Sequence, residues 1–439
     1  MIFISISSLA LIIFAFFLRN YKNWNRVYSD PLNYFIFLFV LYGIYAQYGA
    51  ITIDLTSYDV RFQSNLMVLM ASFGIVFGVV IIKLFRSQSS TSNVIQMSND
   101  GIFSLQLASI LTILFAYTLL IFNISRIGDF TQIIEAYTEF SRSERMALLS
   151  SMRGNLPFSH FFHIGIASLM IARFIRNIKV NFKTELLIII LILPYLAFLM
   201  IEGDRSGIVK LLLVIWFPII YLKNITFKWI HPPILALAVI VFITIGNTRS
   251  LIKSDMNSWD YFQSHYKHIF TNTQEFKAVN YSLRAALNFS DMDLVKYPGD
   301  SYLQAFPYIL PRSIHPGEKR KNIGDRFGEY AKNKFGLIGK TGFGFSPIAE
   351  SYLNFGIIGV FVVFTIYTFI LHLCQILMNN NNIFLKILGF TYMTTLFMYF
   401  RNSFAGQFSN FFWLTLILLF FYLLFKILNH IIHFRNEIT

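Results

Sequence analysis

A chain that returns to an apolar stretch of about 20 residues again and again has little choice of solvent. A helix rises about 1.5 Å per residue, and the hydrocarbon core of a bilayer is about 30 Å thick. Eleven stretches match or approach that length: 2–18, 33–51, 66–85, 102–122, 158–175, 184–201, 207–222, 230–246, 347–377, 383–400 and 408–428. Only 13% of the residues are charged, roughly half the usage of a soluble domain. Backbone N–H and C=O groups inside lipid must be bonded within their own segment, so these stretches are predicted as helices. The expected fold is an all-α polytopic membrane protein with about eleven transmembrane helices, within a range of ten to twelve. The first stretch has the length of a signal peptide, but it lacks a basic leader and a small-residue cleavage site, and reads as a helix. The ninth is long enough to begin with a partly exposed turn.

The apolar pattern breaks once, over 247–346. This divides the chain into N-terminal membrane helices (1–246), a long polar loop domain (247–346) and C-terminal membrane helices (347–439). A chain that only moves a solute has little use for such a loop. Chemistry on something presented at the membrane surface does, so the break favours an enzyme.

The short loops give an orientation. Arg19, Lys22 and Arg26; Lys83 and Arg86; Arg173, Arg176, Lys179 and Lys183; Lys223 and Lys228; Lys386; and Lys426 and Arg435 all fall on alternate connections. The bias of Lys and Arg toward the cytoplasm places these inside, the N-terminus outside and the C-terminus inside. The polar loop 247–346 and the connection 123–157 are then external. Within 123–157, Ile133, Ile134, Tyr137, Phe140, Leu148 and Leu149 recur at roughly helical spacing, the pattern of an amphipathic segment lying on the outer surface. The net charge of +14 reads as cytoplasmic loops and lipid headgroup contact, not as nucleic-acid binding. Cys374 is the single cysteine, which leaves no disulfide framework and no zinc motif within the chain.

The external side is also basic, which points to an anionic ligand. The loop 247–346 carries fourteen Lys or Arg against nine Asp or Glu. Arg142 and Arg145 stand in the connection 123–157. The turn Glu202-Gly203-Asp204-Arg205-Ser206-Gly207 starts a helix at the external face, where free N–H groups and the helix dipole suit a phosphate that Arg205 can grip. Lys210 lies deeper in that helix and is expected to face the interior. Pro311-Arg312-Ser313-Ile314-His315-Pro316 places Arg312 for phosphate and His315 for acid–base work. Arg401 ends the tenth stretch at the external face.

Ser346 and Pro347 read as the cap and first position of the ninth helix. Glu350 then enters the bilayer in the first turns, with Asn354 on the same face. A carboxylate there is costly unless paired, so Glu350 is the candidate general base or anchor for an arginine, with Asn354 beside it. His160 and His163 share a helix face without a third ligand and read as packing, and no metal site is expected. Gly339-Lys340-Thr341 ends like a phosphate-binding loop, but Lys334 stands where that motif needs glycine.

The stretch Gly342-Phe-Gly-Phe-Ser-Pro-Ile-Ala-Glu350-Ser-Tyr-Leu-Asn354-Phe-Gly356-Ile-Ile-Gly359 resembles the O-antigen polymerase (Wzy) family, as do the Gly203-x-Arg205-x-Gly207 turn and the Pro311-Arg312…Pro316 segment. The resemblance implies a GT-C-like glycosyltransferase of the bacterial inner membrane, active at its periplasmic face. It also implies transfer of a growing glycan from undecaprenyl pyrophosphate to a sugar hydroxyl of a new lipid-linked repeat unit, in surface polysaccharide synthesis. The positive external residues would then cradle the departing pyrophosphate, with no metal or other cofactor. A chain-length-regulating copolymerase is the implied protein partner. An O-antigen ligase has the same layout. A lipid-linked oligosaccharide flippase is the remaining alternative, and it predicts short loops throughout.

Overall fold

Apolar length and the need to bond the backbone internally produce an all-helical assembly among the described residues. The computed structural model describes residues 1–21, 24, 27, 30–48, 57–85, 97–125, 158–175, 182–202, 205–222, 274–288, 293–310, 321–335, 344–396 and 398–438. Among the described residues, seven helices are long and apolar enough to cross a membrane. These are α1 (Ile2–Asn20), α3 (Tyr58–Phe85), α4 (Asn99–Ser125), α5 (Phe158–Ile175), α12 (Pro347–Asn379), α13 (Ile383–Leu396, counted with its extension to Arg401) and α14 (Phe404–Ile438). Shorter apolar stretches fall in α2 (Pro31–Phe39, prolonged by a π turn over Val40–Ile44 and a 3-10 turn over Tyr45–Tyr48), in α6 (Phe182–Glu202, apolar over Leu186–Leu199) and in α7 (Arg205–Leu222, apolar over Ser206–Leu222). Ten of the eleven predicted stretches coincide with these helices. The stretch 230–246 and the external segment 123–157 lie outside the described residues.

Among its described residues the polar segment contributes four further helices: α8 (Gln274–Asn288), α9 (Asp300–Leu303), α10 (Ala305–Ile309) and α11 (Ile323–Phe335). They cover the start of α12. Pro347, Ile348, Ala349, Glu350 and Ser351 are all buried, so the expected exposed first turn is corrected to a covered one. The cause is packing: Phe345 meets Phe327 of α11 at 5.4 Å between ring centroids, and the Ser346 N–H donates to Ser282 Oγ of α8 at 2.8 Å.

The membrane helices carry apolar side chains on their outer surface as well as in the core, and bury small hydroxyls among them. Phe3, Leu84, Ile121 and Ile358 are exposed, while Ser72, Ser109, Thr112, Ser168 and Thr368 are buried. Each of these hydroxyls donates to the carbonyl four residues earlier, which satisfies it within its own helix. The N-caps follow the sequence. Asp30 accepts from Leu32 N–H ahead of Pro31, and Ser346 accepts from Ile348 N–H ahead of Pro347.

Close packing fixes the direction of α3 against α12. A Cβ added at Gly74 would lie 2.4 Å from the Phe361 carbonyl oxygen, and one at Gly78 would lie 2.8 Å from Thr368 Cβ. The Thr365 hydroxyl also donates to the Gly74 carbonyl at 3.1 Å. Both numbers rise together, so the two helices run parallel. Ser5 Oγ donates to Asn65 at 2.7 Å, which sets the start of α1 beside the start of α3. At the opposite end Arg19 pairs with Asp30 at 2.6 Å and reaches His372 and Gln375, Lys83 sits 4.1 Å above the Tyr21 ring, and Lys386 sits 5.4 Å from the Tyr221 ring centroid. Arg19, Lys83 and Lys386 thus lie at the end away from Glu350.

Helix α12 is broken at Gly356, with φ 68° and ψ −161°. That region of backbone space is open essentially to glycine alone. An added Cβ there meets nothing within 4 Å, so the constraint is the backbone and not crowding. Gly356→Ala is expected to lower the unfolding free energy by about 1–3 kcal/mol, read as a fall in thermal midpoint. Gly328→Ala, at an exposed position within α11 with open space around it, is expected to raise stability by up to about 1 kcal/mol.

Candidate active site

Glu350 is 1% exposed, and both of its carboxylate oxygens are engaged. Oε1 accepts from Ser301 Oγ at 2.8 Å, and Oε2 accepts from the Phe404 backbone N–H at 2.8 Å. Phe404 opens α14, so its N–H has no intrahelical acceptor, and a carboxylate at this helix start meets the positive end of the dipole. The single side chain therefore joins three elements: α12, which carries it, α9 of the polar segment, and α14.

Asn354, one turn on, completes the junction. Its amide nitrogen donates to Ser301 Oγ at 2.8 Å and to the Glu350 carbonyl at 2.7 Å, while its oxygen accepts from Ser301 N–H at 3.3 Å. Ser301 is thus held on both its hydroxyl and its backbone. Next to it the Tyr302 hydroxyl meets Ser351 Oγ at 3.1 Å, and its ring packs on Phe355 and Phe404 with centroids 5.5 Å and 5.0 Å away. Burial, and then the charge of Glu350, push the Tyr302 phenol above its ordinary range, which keeps it a hydrogen-bond donor.

Asp300 secures α9 from the other side. It accepts from Lys296 N–H at 3.2 Å and Gln304 Nε2 at 2.7 Å, and pairs with Arg326 of α11 at 3.2 Å. Burial alone would raise its carboxyl, but these donors and the Arg326 charge more than offset it and hold the group below its usual range.

The other candidates are distributed differently. Arg401 closes a 3-10 turn (Tyr399–Arg401) three residues before Phe404, and a Cβ at Gly344 would lie 2.9 Å from the Arg401 carbonyl oxygen. The Gly-Phe-Ser-Pro motif and the Arg401 turn are therefore packed backbone against backbone beside Glu350. Lys210 lies on α7 near His160 and His163 of α5, and His160 lies near Asn410 of α14. Lys210 therefore faces a neighbouring helix. Arg205 is the first residue of α7. Arg142, Arg145, Arg312 and His315 lie outside the described residues. Among the described residues no three His, Cys, Asp or Glu side chains gather in one place.

Sequence reasoning missed Ser301, Tyr302 and Phe404. Ser301 leaves only the signature of a small polar residue in a long loop, and a backbone donor such as Phe404 N–H leaves none. Arg284 was also missed, although a signal existed: it occupies the apolar register of α8 with Asn280, Leu283 and Leu287.

A depressed folded-state carboxyl adds stability that is full above the unfolded value of about 4 and is lost as pH falls through the folded value. Asp300→Asn is expected to cost about 1–3 kcal/mol at neutral pH through loss of charge-assisted bonds. Thermal midpoints of wild type and variant, measured from pH 7 downward, are expected to converge below about pH 4.

No match to the chain is found among curated proteins or among solved structures. One family model, described as O-antigen polysaccharide polymerase Wzy, matches residues 1–430, nearly the whole length. That family implies a glycosyltransferase-type activity on lipid-linked oligosaccharides in a membrane. With its membrane-length helices and a buried polar junction where a polar segment meets them, the chain belongs to the O-antigen polysaccharide polymerase Wzy family.

Proposed function

We propose that the chain joins repeat units by direct displacement at the end of the bundle that holds Glu350. The growing glycan is the donor, carried on undecaprenyl diphosphate, and a second lipid-linked repeat unit is the acceptor. The acceptor hydroxyl oxygen bonds to the anomeric carbon as the bond from that carbon to the diphosphate oxygen breaks. The hydroxyl proton passes to a basic group, and undecaprenyl diphosphate departs with the bonding electron pair. One displacement inverts the anomeric centre. The developing negative charge is met by the cationic side chains of that face, which serve in place of a metal ion.

The observation that carries this reading is the Glu350 junction. A carboxylate buried at the start of a membrane helix and bonded to both the polar segment and α14 ties the loop 247–346 to the membrane helices. In this reading the three divisions of the chain act together: the helices of 1–246 and 347–439 form a GT-C-like bundle with grooves for the polyprenyl tails, and 247–346 holds glycan above them. Glu350 and Asn354 position the reacting groups. Glu350 can also take the acceptor proton if Ser301 releases Oε1. Arg205 and Arg401 are assigned to the diphosphate, with Arg142, Arg145, Arg312 and Lys210 as further cations and His315 as a second acid–base group. The bias of Lys and Arg toward the cytoplasm sets the Glu350 end in the periplasm of an inner-membrane protein, where a chain-length-regulating copolymerase has access.

Removing the gene from its own bacterium is expected to leave surface glycans with a single repeat unit. An unchanged length distribution defeats the polymerase reading, and loss of all glycan capping transfers it to a ligase or flippase. Complementation with Glu350→Gln, Arg205→Ala or Arg401→Ala at matched membrane levels is expected to shorten the chains to one or a few units. Normal lengths in all three overturn the site.

A further inference from the structure

Two arginines, Arg61 and Arg284, lie near one another at the Glu350 end, and neither forms an ion pair among the described residues. Arg284 of α8 is 1% exposed. One terminal nitrogen donates to the Gln47 carbonyl at 2.8 Å, and its Nε is buried without a partner. Arg61, in the first turns of α3, also has a buried Nε without a partner. Burial first, and then the like charge of Arg61, push Arg284 down to about 10. The ion pairs among the described residues are Arg19–Asp30, Lys321–Glu329 and Arg326–Asp300, and neither arginine takes part.

The surroundings are ordered by a hydrogen-bond network. Ser64, one turn beyond Arg61, donates to Gln47 Oε1 at 2.8 Å. Gln47 Nε2 donates to Asn280 Oδ1 at 3.0 Å, and Asn280 Nδ2 donates to the Ala46 carbonyl at 2.9 Å. Asn280 lies one turn before Arg284. The network fixes the helices that carry both guanidinium groups, yet uses neither Nε and supplies no counter-charge. Like charges withdrawn from water are costly unless an anion joins them, and guanidinium N–H groups are arranged in forks that match paired oxygens.

The parallel contact of α3 with α12 turns the start of α3, and with it Arg61, toward the Glu350 end of the bundle. Helix α8 is itself bonded to the cap of α12 through Ser282 and Ser346.

We propose that Arg61 and Arg284 form an oxyanion site for the substrate, taking either the diphosphate of its lipid carrier or a carboxylate of its sugars. The assignment rests on the polymerase reading for the identity of that substrate. The test is the thermal midpoint of the full chain in detergent, at constant ionic strength, with inorganic diphosphate or with glucuronate. One of the two is expected to raise the wild-type midpoint by about 5 °C at saturation. The rise is expected to vanish in Arg61→Gln and Arg284→Gln and to persist in Lys426→Gln, an exposed position at the opposite end. A response to diphosphate assigns the lipid carrier, and a response to glucuronate assigns an acidic sugar. No response from wild type, or an undiminished response in both variants, overturns the site. If Arg284→Gln does not fold, the half-buried Arg61→Gln decides alone. Binding is read without turnover, so a chain that binds diphosphate but whose loss leaves glycan length unchanged fails the polymerase reading and keeps the site.

Discussion

The carboxylate of Glu350 is the constraint on which the rest of this end of the molecule depends. One oxygen holds Ser301 and the other holds the opening N–H of α14. A carboxylate taken out of water needs hydrogen bonds on both oxygens, and a helix start withdrawn from water needs an acceptor. Each of these deficits satisfies the other. The same contact explains why α12 does not begin with an exposed turn. Its first residues are buried because the polar segment must come over them to deliver Ser301.

That segment is held by a second set of charges. Asp300 is fixed by Arg326 from α11, while its neighbour Ser301 is fixed by Glu350 and Asn354 from α12. Adjacent residues of one short helix are thus gripped from two directions. A four-residue helix has no stability of its own, so its geometry is imposed by these partners and by the Tyr302 ring between Phe355 and Phe404. Just beyond, Gly356 lets α12 break after Asn354 without moving the junction above it.

Much of this was legible in the sequence, for physical reasons that differ by element. The membrane helices follow from length and apolarity, which is why ten of the predicted stretches fall on apolar helices. The start of α12 follows from Ser346 and Pro347, since capping chemistry is local. Glu350 and Asn354 could be singled out because a carboxylate in an apolar helix is costly and i, i+4 spacing is fixed by the helix. Their partners could not. Ser301 lies 49 residues before Glu350 and Phe404 lies 54 after it, and those contacts exist only once the chain has folded back. Arg61 escaped for a different reason: at the border of an apolar stretch an arginine reads as an interface residue, and its neighbour Arg284 comes from a separate element.

Charge is therefore sorted at this end of the bundle. Glu350 is satisfied by a helix start and by hydroxyl and N–H donors, none of which carries a formal charge. Arg284 and Arg61 stand at the same end of the bundle and form no ion pair with Glu350. Had Glu350 been neutralised by an arginine, the face would hold a closed salt bridge with little attraction for an anion. Because a dipole and neutral donors do that work, the guanidinium charge stays available to a phosphate or carboxylate. Any movement of α8 on binding such a group would be felt at the cap of α12 through the Ser282–Ser346 bond, four residues from Glu350.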